Sequence, residues 1–343
     1  MFKQNWGYTM TKTLKILALL LVFILPAASF ADEDKPYKRL YVFGDSLSDT
    51  GNLATITGAF PNPPYFGNRV TNGYVAVEVM AERLGLPLET SMHLAGGAAT
   101  GNNYAVVAAR AGRNELIDLS TQVALFLANH GGVAPADTLY VMFIGGNDIR
   151  KARDSGDWAT GVAIAEEAAT IVANQIQVLA MSGAKNWLVV NAPDIGRVPE
   201  TALIATAYNL PALPATTTAL SVIYNDKLKR SVKQLEEELD IETEYFNLYK
   251  LFGRLLDKSD KLGFTNNTDP CFSSEQGQFT PGCAFGFNFN QYVFFDEIHP
   301  TARIHAMVGE AMYRKVADDD DDDKEDKKEH EQDDEKEVES ADD

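Results

Sequence analysis

Cysteine is nearly absent. The 343-residue chain holds two, Cys271 and Cys283, too few for a fold built on disulfides. No histidine or further cysteine lies near them at ligand spacing, so they do not form a metal site. Histidine is also scarce, at five residues, which leaves few candidates for a general base. Basic charge is short as well: 30 Lys and Arg stand against 49 Asp and Glu, a formal net charge of −19. That balance argues against nucleic-acid binding and against attraction to an anionic membrane surface. No internal repeat is visible, and no Gly/Ser-rich or Pro-rich linker divides the body, so one large domain is expected.

The two ends differ from the body. Lys12 and Lys15 precede an unbroken apolar run, Ile16 to Leu25, and Ser29-Phe30-Ala31 offers small residues at the positions a signal peptidase reads. This pattern predicts a secretory signal over residues 1–31, cleaved after Ala31. The run is short for a membrane span, so no stable span is expected. At the other end, Asp318 to Asp343 carries 17 acidic and 4 basic residues. A block with almost no apolar side chains cannot bury enough surface to order itself, and an acidic disordered tail is expected over 317–343. Between them lies a predicted domain of residues 32–316. In an exported protein Cys271 and Cys283 would pair, closing a short loop worth roughly 3 kcal/mol in the chain-entropy model.

Within the body, apolar runs alternate with helical periodicity. Leu40–Phe43, Leu139–Ile144, Trp187–Val190 and Glu244–Phe246 read as strands. Val75–Leu84, Gly161–Met181, Thr218–Leu239 and Thr301–Val316 read as amphipathic helices. The alternation predicts an α/β fold: a parallel sheet covered by helices on both faces. Two stretches read as irregular: Leu203 to Thr216, an apolar loop with Pro211 and Pro214, and Ser259 to Gln291, rich in phenylalanine around the cysteine pair.

Ligands of parallel sheets bind outside the carboxyl ends of the strands. Two suggestive turns fall at such ends. Gly44-Asp45-Ser46-Leu47 follows the first strand, and Gly145-Gly146-Asn147-Asp148 follows the second. A serine hydroxyl is a poor nucleophile unless a base lies within hydrogen-bond reach and a third group orients that base. Asp296-Glu297-Ile298-His299-Pro300-Thr301 supplies both. His299 can take and return a proton near neutral pH. Asp296, three residues earlier, can hold the other ring nitrogen. Pro300 suits the first position of the final helix, so the Asp296–His299 turn would open it. His93 and His130 have no acidic neighbour in sequence, and His305 falls on the final helix, where a core or surface role is expected. Asn147 offers an uncharged donor for a developing oxyanion, a contribution of typically about 3 kcal/mol. The plain alternatives are a helix cap at Ser46 and a tight turn at 145–148.

Taken in order, these segments resemble the GDSL, or SGNH, family of ester hydrolases. Gly44–Leu47 matches its first block, Gly101-Asn102-Asn103-Tyr104-Ala105-Val106 its second, Gly146-Asn147-Asp148 its third, and Asp296 to Thr301 its fifth. Phe66 to Gly73 resembles the segment between the first two blocks. The resemblance implies a three-layer α/β/α sandwich of flavodoxin-like topology and metal-free, cofactor-free ester hydrolysis. It assigns Ser46 as nucleophile, His299 as base and Asp296 as its orienter. It assigns the backbone N–H groups of Ser46 and Ala108, with the Asn147 side chain, to the oxyanion. One departure stands out: the family usually carries two glycines where this chain has Val107 and Ala108, and the second of them donates to the oxyanion. An alanine keeps the N–H but loses glycine's freedom to take left-handed backbone angles.

The implied activity is a secreted serine hydrolase acting on a small-molecule or lipid acyl ester. Acyl transfer to an alcohol and carbohydrate deacetylation remain open on the same machinery, as does a binding protein of impaired catalysis, given Val107 and Ala108.

Overall fold

In the computed structural model, Met1 and residues 37–317 are described, apart from 59, 62, 113–114 and 284–287. All but Met1 belong to a unit running from Pro36 to Asp343. The predicted signal segment and acidic tail lie outside the described residues, Met1 and Ala317 excepted.

Four parallel strands make the main sheet, in the order β1 (Arg39–Gly44), β2 (Thr138–Phe143), β3 (Asn186–Val190) and β4 (Glu242–Phe246). All six residues of β2 are buried, as a strand covered on both faces requires. β4 carries Glu242 and Glu244 and is only partly buried, a polar edge that discourages pairing with another chain. The opposite edge of β1 is also occupied. Residues 102–106 run parallel to it, with Val42 N–H donating to Asn102 O, Tyr104 N–H to Val42 O, and Val106 N–H to Gly44 O. With that irregular segment counted, the order is flavodoxin-like. The chain leaves β1 in one direction for residues 102–106 and then crosses to β2 on its other side. The C-terminal end of β1 is therefore the point where strand order reverses, which is where such sheets bind ligands.

Helices complete the three layers. They are α1 (Asn52–Thr57), α2 (Ala76–Leu84), α3 (Leu119–Asn129), α4 (Gly146–Arg153), α5 (Trp158–Met181), α6 (Pro199–Ala207), α7 (Leu213–Glu238), α8 (Leu248–Asp257) and α9 (Ala302–Ala317). α3, α5 and α7 pack in succession on one side, while α2 packs along α9 on the other.

Two expectations are corrected. Leu203 to Thr216 is not a loop: it spans the end of α6 and the start of α7, with only a short turn between. Pro199 and Pro214 sit in the first turns of their helices, where a missing N–H leaves no bond unmade. Pro300 does not begin the last helix. It bridges Phe294, and α9 starts at Ala302.

The region 259–291 holds short strands, β5 (Asn266–Pro270), β6 (Phe272–Ser273) and β7 (Gln278–Phe279), and β5 pairs with β8 (Tyr292–Phe294). A disulfide joins Cys271 and Cys283, whose Cα atoms are 5.2 Å apart. Phe272, Phe279 and Phe289 pack in a chain of ring contacts that reaches Phe295. These aromatics thus fasten the loop to the residue just before Asp296. Phe264 is buried under the guanidinium of Arg303. Phe285 and Phe287 lie outside the described residues.

Candidate active site

Ser46 sits on the turn that ends β1. Two carboxylates build that turn. Asp45 accepts from Leu47 N–H, and Asp49 accepts from the N–H groups of Gly51, Asn52 and Leu53 at the start of α1. Asp49 also accepts from Val107 N–H at 2.9 Å, so the helix-capping role falls to Asp49 and not to Ser46. From below, Gln122 holds Gly44 through both its backbone N–H and its carbonyl.

The Ser46 hydroxyl is free to face His299. Its Oγ lies 2.8 Å from His299 Nε2, and His299 Nδ1 lies 2.8 and 2.9 Å from the two Asp296 oxygens. All three residues are nearly buried. With Nδ1–H donating to the carboxylate, Nε2 is left as acceptor for the serine proton. Burial opposes ionisation of Asp296, but the facing imidazole and the N–H groups of Ile298 and His299 outweigh it and hold the carboxyl below its usual range. The turn is fixed from outside as well. Thr71 Oγ1 donates to Pro300 O, and Ala302 N–H donates to Asn72 Oδ1.

The second turn is equally constrained. Gly145 has φ 128°, and a Cβ there would meet the Tyr224 ring at 2.3 Å, so both backbone angle and space demand glycine. Tyr224 in turn donates to Ile144 O. Asn147 falls in the first turn of α4. Its Nδ2 donates to Ala109 O at 3.0 Å, which leaves one N–H over, and it lines the same cavity as Ser46 and His299. Ala108 lies between Val107, tied to Asp49, and Ala109, tied to Asn147. Its φ is 67°: the alanine adopts the left-handed angle for which glycine is the easier choice. Among the described residues neither Ser46 N–H nor Ala108 N–H has an acceptor. Two backbone donors and one side-chain donor are therefore uncommitted on the segments around the serine.

The other histidines are engaged elsewhere. His130 bonds Tyr41 and Phe126 O. His93 faces Ser91 and is pushed down to about 4 by burial. His305 accepts from Ala76 N–H, and burial, followed by the charge of His299, pushes it down to about 3. His330 lies outside the described residues. Among the described residues no group of three His, Cys, Asp or Glu side chains is placed to hold a metal ion.

Several residues of the site escaped sequence reasoning. Asn52 donates to Asn103 O and Ala105 O, and Asn103 donates to Ser48 O and Thr50 Oγ1, which locks the first motif to the second. Tyr65 donates to Asp296 Oδ2 at 2.9 Å. Arg150 donates to Asn147 Oδ1 at 3.0 Å. Asn103 stands inside the second block and Asn52 lies just beyond the first. Tyr65 carried no signal because it acts across the fold, and Arg150, one helical turn from Asn147, is held by Glu200, 50 residues away. Beside Ser46 the cavity, of about 50 Å³, is walled by Leu47, Ile195, Val198, Leu248, Phe252 and Ile298 among others.

A hydrogen-bonded Ser–His–Asp row thus lies at the switch point of the parallel sheet of an α/β protein. The chain belongs to the GDSL-like Lipase/Acylhydrolase family, whose model matches residues 40–312. It is similar to the thermolabile hemolysin of Vibrio parahaemolyticus, at 28% identity over 80% of this chain and 62% of that protein. It is 34% identical to Lipase 1 of Photorhabdus luminescens over 48% of this chain and 23% of the lipase. It is 23% identical to the phosphatidylcholine-sterol acyltransferase of Aeromonas hydrophila, over 86% of this chain and 95% of that enzyme. The chain thus spans less than two thirds of the hemolysin and about a quarter of the lipase.

Proposed function

We propose that the protein is an exported hydrolase of carboxylic acyl esters, with lipid esters as the substrate class. The observation that carries this reading is the row Ser46 Oγ, His299 Nε2 and Nδ1, Asp296, at hydrogen-bond distance throughout.

Ser46 Oγ attacks the ester carbonyl as its proton passes to His299 Nε2. Asp296 holds the imidazole in the required tautomer and stabilises the imidazolium. The carbonyl oxygen becomes an oxyanion, met by Ser46 N–H, Ala108 N–H and the remaining Asn147 Nδ2–H. The ester C–O bond then breaks, and the alcohol leaves with the proton from His299. Water attacks the acyl-Ser46 carbonyl, giving its proton to Nε2. The acid departs and Ser46 regains its proton.

Two features support an apolar acyl group. The cavity beside Ser46 is lined mainly by aliphatic and aromatic side chains. From its rim, where Val198 lines the cavity, the α6–α7 hairpin extends with no charged residue between Thr201 and Asn225. Leu203, Tyr208 and Leu210 there are 52%, 73% and 46% exposed, an apolar patch suited to a lipid surface. The disulfide supports an oxidising compartment. Among the described residues no helix is long and apolar enough to cross a membrane.

A second reading, acyl transfer, is favoured by the similarity to an acyltransferase along nearly that enzyme's full length. In it an alcohol replaces water at the acyl-enzyme. Hydrolysis of a graded series of acyl esters, one phospholipid included, tests the reading. Turnover that vanishes in Ser46→Ala supports it, and turnover that survives contradicts it. Product analysis with an added acceptor alcohol separates hydrolysis from transfer.

A further inference from the structure

The carboxamide of Asn147 is held from two sides by groups of opposite character. Its Nδ2 faces an acceptor, Ala109 O, and its Oδ1 faces a donor, Arg150 Nη1, each at 3.0 Å. Rotating the amide by half a turn would set oxygen against carbonyl oxygen and nitrogen against guanidinium. Both contacts would then turn from attractive to repulsive. Arg150 and Ala109 therefore decide which end of the carboxamide faces the reacting centre.

Arg150 is not itself free to wander. It forks onto Glu200, with Nε 2.7 Å from Oε2 and Nη2 on Oε1. Glu200 also receives Arg153 Nη1 at 2.9 Å, and the same nitrogen holds Thr201 Oγ1. Burial raises the cost of the Glu200 charge, but the two guanidinium groups outweigh it and hold the carboxyl below its usual range. The backbone N–H of Glu200 donates to Glu297 O at 2.8 Å, the residue next to Asp296. One network thus connects the Asn147 turn, after β2, with the Asp296–His299 turn that precedes α9. Arg150 also lines the cavity that holds Ser46 and His299.

We propose that Arg150, set by Glu200, is a positioning residue of the oxyanion site. It fixes the orientation of the Asn147 amide, and its charge behind the amide oxygen polarises Nδ2–H into a stronger donor. The inference rests on the reading of Asn147 as an oxyanion donor. A role of this kind acts on the transition state, so its loss lowers kcat and leaves substrate binding almost untouched.

The test is a double-mutant cycle of Arg150→Met and Asn147→Ala on a soluble short-chain ester, with thermal unfolding measured for each variant. Arg150→Met should lower kcat by about 10- to 100-fold with KM within about twofold, the loss seen when one oxyanion contact is weakened. In the Asn147→Ala background the same substitution should change kcat by less than about twofold, since nothing is left to orient. Arg150→Lys, which keeps the charge, should recover part of the loss. Glu200→Gln, which loosens the hold on Arg150 while keeping its shape, should give a smaller loss of the same kind. Equal losses from Arg150→Met in both backgrounds, a loss carried by KM, or no loss at all would overturn the proposal. Failure of the unmodified protein to react at Ser46 with a phosphonate probe would instead overturn the hydrolase reading, and this inference with it.

Discussion

Tyr65 donates a hydrogen bond of 2.9 Å to Asp296 Oδ2, an oxygen that also lies 2.8 Å from His299 Nδ1. The tyrosine ring is wedged edge-on against Phe272 and Phe295, so its hydroxyl is delivered by packing. Burial, then the charge of Asp296, drives its pKa upward, so it remains a donor across the working range. The cysteine loop supplies Phe272, which makes that loop a support for the acid of the row. Tyr65→Phe keeps the wedge and removes the bond. It should lower kcat by about 3- to 10-fold with unchanged KM, in line with the net loss of one hydrogen bond of about 1 kcal/mol. Unchanged kcat would mean that Asp296 needs no donor beyond His299 and the N–H groups of Ile298 and His299.

Ala108 carries φ 67°. A left-handed angle costs a non-glycine residue about 1 kcal/mol, and its methyl group is exposed and offers no packing in return. Ala108→Gly should stabilise the protein by about 0.5–1 kcal/mol by denaturant titration. It should also raise turnover on a small ester, because the N–H is then presented without strain. A folded variant that is less stable, with equal or lower turnover, would contradict this.

Burial, ahead of other causes, pushes Asp148 up to about 7 and Asp45 up to about 6. Unfolded, each would ionise near 3.8. Between those values the folded state binds more protons, so their stabilising contribution is full below the unfolded pKa and lost as pH rises through the folded one. His305, pushed down to about 3, acts oppositely: its contribution is present above pH 6.5 and lost as pH falls. Asp148→Asn isolates one side. Relative to the unmodified protein, the variant should gain stability as pH rises from 4 to 8, by about 1.4 kcal/mol for each pH unit crossed between the unfolded and folded pKa. A difference that does not change with pH would mean that Asp148 does not titrate between the folded and unfolded values.

Phe252 and Leu248 wall the cavity beside Ser46. Phe252→Ala should shift preference toward longer acyl chains, at a cost of about 3 kcal/mol in stability. Changing Leu203, Tyr208 and Leu210 together to serine should leave hydrolysis of a soluble ester unchanged. On phosphatidylcholine vesicles it should reduce both cosedimentation and hydrolysis by about tenfold or more. Loss on the soluble ester as well would mark the hairpin as part of the site and not of a docking surface.

The sequence made the central elements legible because they are locally written. β2 is a continuous apolar run, α5 and α9 carry helical periodicity, and Ser46, Asn147, Asp296 and His299 stand in ordered motifs. What stayed hidden depends on distance. Residues 102–106 pair with β1 without strand-like alternation, held by Asn102 and Asn103 side chains. Tyr65 reaches Asp296 from 231 residues away in sequence. The α6–α7 hairpin was hidden by its prolines: Pro211 marks only the short turn, and Pro214 reads as a loop signal until its place in the first turn of α7 is known.

The central claim is that Ser46 is a nucleophile activated by His299. Intact-mass measurement after exposure to a serine-reactive phosphonate tests it most directly. One phosphonyl group should add to the unmodified protein, none to Ser46→Ala, and addition to His299→Ala should be strongly slowed. No addition to the folded, unmodified protein, or addition that persists in Ser46→Ala, would contradict it.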